Sequence, residues 1–125
     1  MTPLTSRLPL RSRAARYEIS RSPARTVVTL CGEYDSASSN GLSALLTATV
    51  GDSQGDVEID LSQVRFFDAS TIGRLVACRD LLAREKRSLT LRGPTPLGAQ
   101  ILSICGLGDL IVSPRTATDR TALNP

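Results

Sequence analysis

A chain of 125 residues with 41% hydrophobic and 22% charged side chains has the length and composition of one soluble globular domain. It contains no histidine, which excludes the usual zinc sets and every histidine-based nucleophile triad, and no apolar run approaches the roughly 20 residues that span a bilayer. The net charge of +3 belongs to the ends: residues 1–16 hold four arginines and no acid, whereas residues 17–112 carry 11 acids against 9 bases.

The first 16 residues contain two prolines, scattered arginines and no sustained period, which predicts a flexible basic arm without the apolar core of a secretory signal. "YEIS" reads as a short edge strand, "RSPAR" as a turn and "TVVTLCG" as a β-branched strand closed by Gly32. In "EYDSASSNGLSALLTATV", Asp35 or Ser36 can cap a helix that places Leu42, Leu45, Leu46 and Thr49 on one face. "GDSQGD" breaks the chain. "VEIDLSQV" then alternates, with Val57, Ile59 and Leu61 on one side and Glu58 and Asp60 on the other, and "RFF" extends the strand to Asp68.

After "DAST" the period changes to about 3.6, with Ile72, Leu75, Val76, Arg79, Leu82 and Ala83 recurring on one side. "SLTLRG" is a further strand. "PTPLGAQILSICGLG" is a helix from Pro96, ended by Gly106 or Gly108, with Leu97, Ile101, Leu102 and Cys105 inward. "DLIV" adds a last strand or a short packed segment, and 113–125 form a polar tail. The alternation of strands and helices predicts a single α/β domain over 17–112. Its sheet is mixed and four- or five-stranded, because the short "PAR" connection makes the first pair antiparallel. Cys31, Cys78 and Cys105 all lie in apolar contexts and read as small buried thiols.

The polar group "DAST" sits beyond the carboxyl end of a strand, the usual functional edge of such sheets. Asp68 or Ser70 can cap the following helix, which is the plain explanation. The sharper one is a phosphoacceptor: a phosphate on Ser70 adds negative charge where a helix N-terminus tolerates it, so the fold survives while an interface fitted to a neutral hydroxyl does not. Glu33 and Asp35 lie at a second strand exit, on the same rim if the two strands are neighbours. Nothing pocket-forming accompanies them, and capping accounts for Asp35. The glycines of "CGLG" and "RGPTPLG" match no phosphate loop.

The stretches "VVTLCGEYD", "VEIDLSQVRFFDASTIGRLV", "KRSLTLRGPTP" and "ILSICGLGDLI" together resemble the STAS domain family, specifically its small stand-alone anti-sigma factor antagonists. The family's Gly-Glu-hydrophobic-Asp segment is matched by Gly32, Glu33, Tyr34 and Asp35. Its Asp-Ser-Ser-Gly turn is matched by Asp68, Ala69, Ser70 and Thr71, with Ala69 and Thr71 as departures. The resemblance implies a non-enzymatic cytoplasmic domain with helices mainly on one side of the sheet and no cofactor. It implies binding to an anti-sigma factor, often a serine kinase, with phosphorylation at Ser70 (Thr71 as second choice) and reversal by a metal-dependent serine phosphatase.

The partner surface is expected at Glu33, Asp35, Asp68, Ser70, Thr71 and Arg74, with a homodimer allowed. A non-phosphorylated adaptor in a regulatory or lipid-transport complex is the first alternative. A nucleic-acid binder using the arginine arm is the second, disfavoured by the acidic body and the lack of a stacking surface.

Overall fold

The β-branched run and the alternating run pair in parallel at the middle of a five-stranded sheet. In the computed structural model, which describes residues 14–114, the elements follow as β1 (Arg16–Arg21), β2 (Arg25–Tyr34), α1 (Ser39–Asp52), β3 (Asp56–Phe67), α2 (Ala69–Arg84), β4 (Leu89–Arg92), α3 (Pro96–Ile104), a 3-10 turn (Gly108–Leu110) and β5 (Ile111–Val112). Most of the basic arm and polar tail inferred from the sequence lies outside the described residues.

The strands lie in chain order, β1-β2-β3-β4-β5, with β1 antiparallel to β2 and every later pair parallel. Each parallel crossover therefore steps in the same direction. Because such crossovers are right-handed, their helices collect on one face of the sheet. The core records this: Val28, Leu30, Val57, Ile59, Leu61, Leu89 and Leu91 from the strands form one buried cluster with Leu42, Leu46, Leu75, Leu82 and Leu102 from the helices. Each fully buried leucine contributes roughly 2 kcal/mol through removal of its surface from water.

The inward face of α2 is Ile72, Leu75, Cys78 and Leu82, so Cys78 takes the place that the spacing gave to Arg79 and Ala83. Ala83 is exposed, and Arg79 instead meets the neighbouring Asp80 at 3.2 Å. In α3 only Gly98 and Leu102 are buried; Leu97 is exposed and Cys105, just past the helix, is an exposed thiol. The helix is so uniformly apolar that its pattern could not select a face. Gly98 is buried because α3 runs against Phe67: a Cβ there would lie 3.1 Å from the ring.

The alternation of β3 is interrupted. Thr29 faces Asp60 but Cys31 faces Gln63, so β3 carries an extra residue, and Asp60 Oδ1 accepts from the backbone N–H and hydroxyl of Ser62 at 2.9 and 2.7 Å. Val64 thereby regains the core side. A second register shift at Gly32/Glu33, where Gly32 adopts φ +98°, pairs Glu33 with Phe66 and Tyr34 with Phe67. Tyr34 is buried in the core, whereas Phe66 is 51% exposed.

On the sheet face away from the helices, Glu58 is not a solvated side chain. It is 0% exposed and meets Arg25 at 3.3 Å and Arg92 at 3.1 Å. Arg87, after α2, is also withdrawn from water and donates to the carbonyls of Val50 and Gly55 at 2.9 and 2.8 Å and to Ser53 Oγ at 2.7 Å.

Candidate functional site

The parallel pairing of β2 with β3 brings their two exits side by side. Asp68, in extended backbone at the start of α2, is the cap: its Oδ1 accepts from the N–H groups of Ser70 and Thr71 at 3.1 and 3.2 Å and from the Ser70 hydroxyl at 2.6 Å. These bonds, the Ser70 hydroxyl foremost, hold the Asp68 carboxyl below the usual carboxylate range.

The carbonyl of Tyr34 joins the two loops. It accepts from the Asp68 N–H at 3.2 Å and from the Thr71 hydroxyl, also at 3.2 Å. Thr71 is therefore turned inward and is only 2% exposed, which removes it from the exposed rim expected from the sequence. Thr71 thus acts as a bolt between the two loops. Ser70 is half-buried, and its hydroxyl points to the Asp68 carboxylate.

Asp35 does not cap α1, and neither does Ser36. The helix begins four residues after Asp35, and Asp35 Oδ1 instead holds the preceding turn by accepting from the N–H groups of Ala37 and Ser38 at 2.9 and 3.2 Å. Asp35 is exposed and Glu33 half-buried, on the exit adjacent to α2. Arg74, one turn beyond Ser70, donates from Nε to Ser39 Oγ at 2.8 Å and so ties α2 to the start of α1. The structure brings Glu33, Asp35, Asp68, Ser70 and Arg74 to one end of the sheet. Sequence reasoning missed the Tyr34 carbonyl and Ser39; main-chain acceptors leave no sequence signal, and Ser39 is one of several serines in the turn.

Residues 17–113 match the profile of the family described as "Mlab, STAS domain". The chain belongs to the STAS domain family. The fold of this STAS domain is shared by the anti-sigma factor antagonist SpoIIAA in its unphosphorylated form (TM-score 0.73, 18% identity, covering 88% of this chain and 99% of that one). The phosphorylated form of SpoIIAA from Bacillus aligns with TM-score 0.70 at 16% identity, over 88% of this chain and 100% of that one. An anti-sigma factor antagonist from Mycobacterium paratuberculosis aligns with TM-score 0.73 at 22% identity, over 89% and 94%. No curated protein matches this chain in sequence.

Among the described residues of the STAS domain, no cluster of histidine, cysteine or acidic side chains could hold a metal, and no helix is long and apolar enough to cross a membrane. Burial raises the Cys78 thiol to about 11 and also raises Cys31, so neither suits nucleophilic chemistry.

The cap has a pH signature. Because the folded-state pKa of Asp68 is lowered, its contribution is complete above the unfolded value and is lost as pH falls through the folded one. Asp68→Ala should therefore unfold at lower urea than the parent at pH 7. The gap between the two midpoints should close as the pH drops below the ordinary carboxylate value of 3.8. A gap of constant size down to pH 2 contradicts a charged cap.

Proposed function

We propose that this STAS domain is an anti-sigma factor antagonist whose binding rim is switched off by phosphorylation of Ser70. The observation that carries the reading is Ser70: half-buried, its hydroxyl 2.6 Å from Asp68, on a turn tied to the neighbouring loop through the Tyr34 carbonyl. Such a hydroxyl is presented to another protein without any part of the core having to move. The fold shared with an antagonist known in unphosphorylated and phosphorylated forms supports the same reading.

The partner is an anti-sigma factor with serine-kinase activity, which docks over Glu33, Asp35, Asp68, Ser70 and Arg74; release of its sigma factor follows from that occupancy. Kinase action moves the γ-phosphoryl group of ATP to Ser70 Oγ with loss of the hydroxyl proton, leaving ADP. A metal-dependent serine phosphatase restores the hydroxyl by hydrolysis. The domain contributes a surface and an acceptor, and no catalysis of its own.

The test is binding of the cognate anti-sigma kinase to three forms of the chain. Ser70→Ala should bind but take up no phosphate. Ser70→Asp should lose at least about tenfold in affinity, because a new charge must be desolvated or repelled at the contact. Its unfolding free energy should fall by no more than about 1–2 kcal/mol, for the lost hydroxyl bond to Asp68 and the added carboxylate, which leaves the domain folded. Equal affinity of Ser70→Asp and parent would mark the domain as a constitutive adaptor and end the switch.

A further inference from the structure

The unmodified site is wired around the proton that phosphorylation removes. Ser70 Oγ donates that proton to Asp68 Oδ1 at 2.6 Å. When the Oγ–H bond is replaced by an Oγ–P bond, the ester oxygen has nothing to donate, and a dianion would lie against a carboxylate. The helix-end N–H groups of Ser70 and Thr71 offer no ready refuge, since Asp68 Oδ1 already holds both. Glu33 and Asp35 on the adjoining loop add further negative charge, and α3 contributes no charged residue. The phosphoserine side chain must therefore turn away from Asp68.

The first cation along α2 is Arg74. Arg74 is four residues on, hence on the same helix face, and helical side chains lean back toward the N-terminus over the preceding turn. Its guanidinium is already drawn toward α1 by the bond to Ser39 Oγ at 2.8 Å. That resting partner is a neutral hydroxyl, a weaker acceptor for guanidinium than a phosphate dianion.

We infer that Arg74 is the internal receptor for a phosphate on Ser70, and that it releases Ser39 to take it. The inference rests on Ser70 being the modified residue. Its consequence is that modification reaches the second loop. The side-chain tie between α2 and the start of α1 is lost, and Ser38 at that start makes no side-chain cap bond to compensate. Arg74 is thus a positioning residue that carries the signal from one half of the rim to the other.

The experiment needs neither kinase nor partner, so its failure and that of the antagonist reading are distinguishable. Phosphoserine is installed at position 70 of the full chain during translation, and the second phosphate ionisation is followed by phosphorus NMR. A free phosphoserine titrates near about pH 6. With Arg74 engaged the value falls, and Arg74→Gln should raise it by about half a unit or more relative to the parent, with Arg74→Lys in between. Ser39→Ala, which frees Arg74 without altering its charge, should leave the value as low as the parent's or lower. It also serves as the test if Arg74→Gln fails to fold. The same titration in parent and Arg74→Gln, or a raised value in Ser39→Ala, overturns the inference.

Discussion

Glu58→Ala should lower the unfolding free energy by about 3 kcal/mol, read as a fall in urea midpoint with an unchanged slope. The cause is an ion cluster assembled from three strands. Glu58 in β3 takes Arg25 from β2 and, through two guanidinium nitrogens at 3.1 and 3.3 Å, Arg92 from β4. The arginines lie diagonally across the sheet from the carboxylate, within reach of long side chains. Removing the carboxylate leaves two like charges on the same face. Their side chains are 34% and 19% exposed, so both can partly regain water, which keeps the cost below the upper end for a buried pair. Glu58→Gln retains the shape and should cost about half as much. A loss under about 1 kcal/mol for Glu58→Ala would mean that the cluster contributes little beyond solvation.

Arg87→Met should lower the melting temperature by about 10 °C, equivalent to about 3 kcal/mol in a domain of this size. Helix α1 has no basic residue in its last turn, so the carbonyls that its C-terminus leaves unpaired depend on a donor from elsewhere. Arg87 supplies it: one guanidinium reaches Val50 O, Ser53 Oγ and Gly55 O while its side chain is only 8% exposed. Bonds from a charged donor in such a setting contribute about 1.5–3 kcal/mol each in isolation and less than additively together. The contact with Glu85, itself 61% exposed, adds little. Methionine preserves the stem but none of the fork. Lysine can satisfy one acceptor at a time, so Arg87→Lys should recover no more than about half the loss. Full recovery by lysine would reduce the role of Arg87 to that of a simple charge.

The strand and helix order was legible because local patterning and global topology agree. The β-branched content of β2, the period of two in β3 and the change to 3.6 after Asp68 each point to the element that forms. The capping residues of "DAST" likewise placed a helix start at the right turn, where Asp68 is the cap. What escaped notice depended on partners distant in sequence. Glu58 looked like an ordinary outward residue of an alternating strand; only the arrival of Arg25 and Arg92 from neighbouring strands buries it. Thr71 and Ser70 are adjacent hydroxyls, and the sequence cannot say which turns inward without knowing that the Tyr34 carbonyl lies beneath.

The irregularity in β3 did leave a trace, since Val64 follows Leu61 at an interval of three where alternation demands two. In α3 the opposite problem arises. Leu97, Ile101, Leu102, Ile104 and Cys105 offer several apolar faces, and the 77% exposure of Ile104 follows from which side meets Phe67 and the core.

The joint between the two rim loops has a bearing on how such domains diversify. Its acceptor is the carbonyl of residue 34, an atom every amino acid possesses, and one of its two donors is the N–H of residue 68, equally independent of side-chain identity. Mutational drift at positions 33, 35 and 69 can therefore change the surface of the proposed docking rim while the chassis beneath keeps its dimensions. Paralogues within one cell could acquire separate clients by exchanging a few such side chains, with no redesign of the frame that presents them.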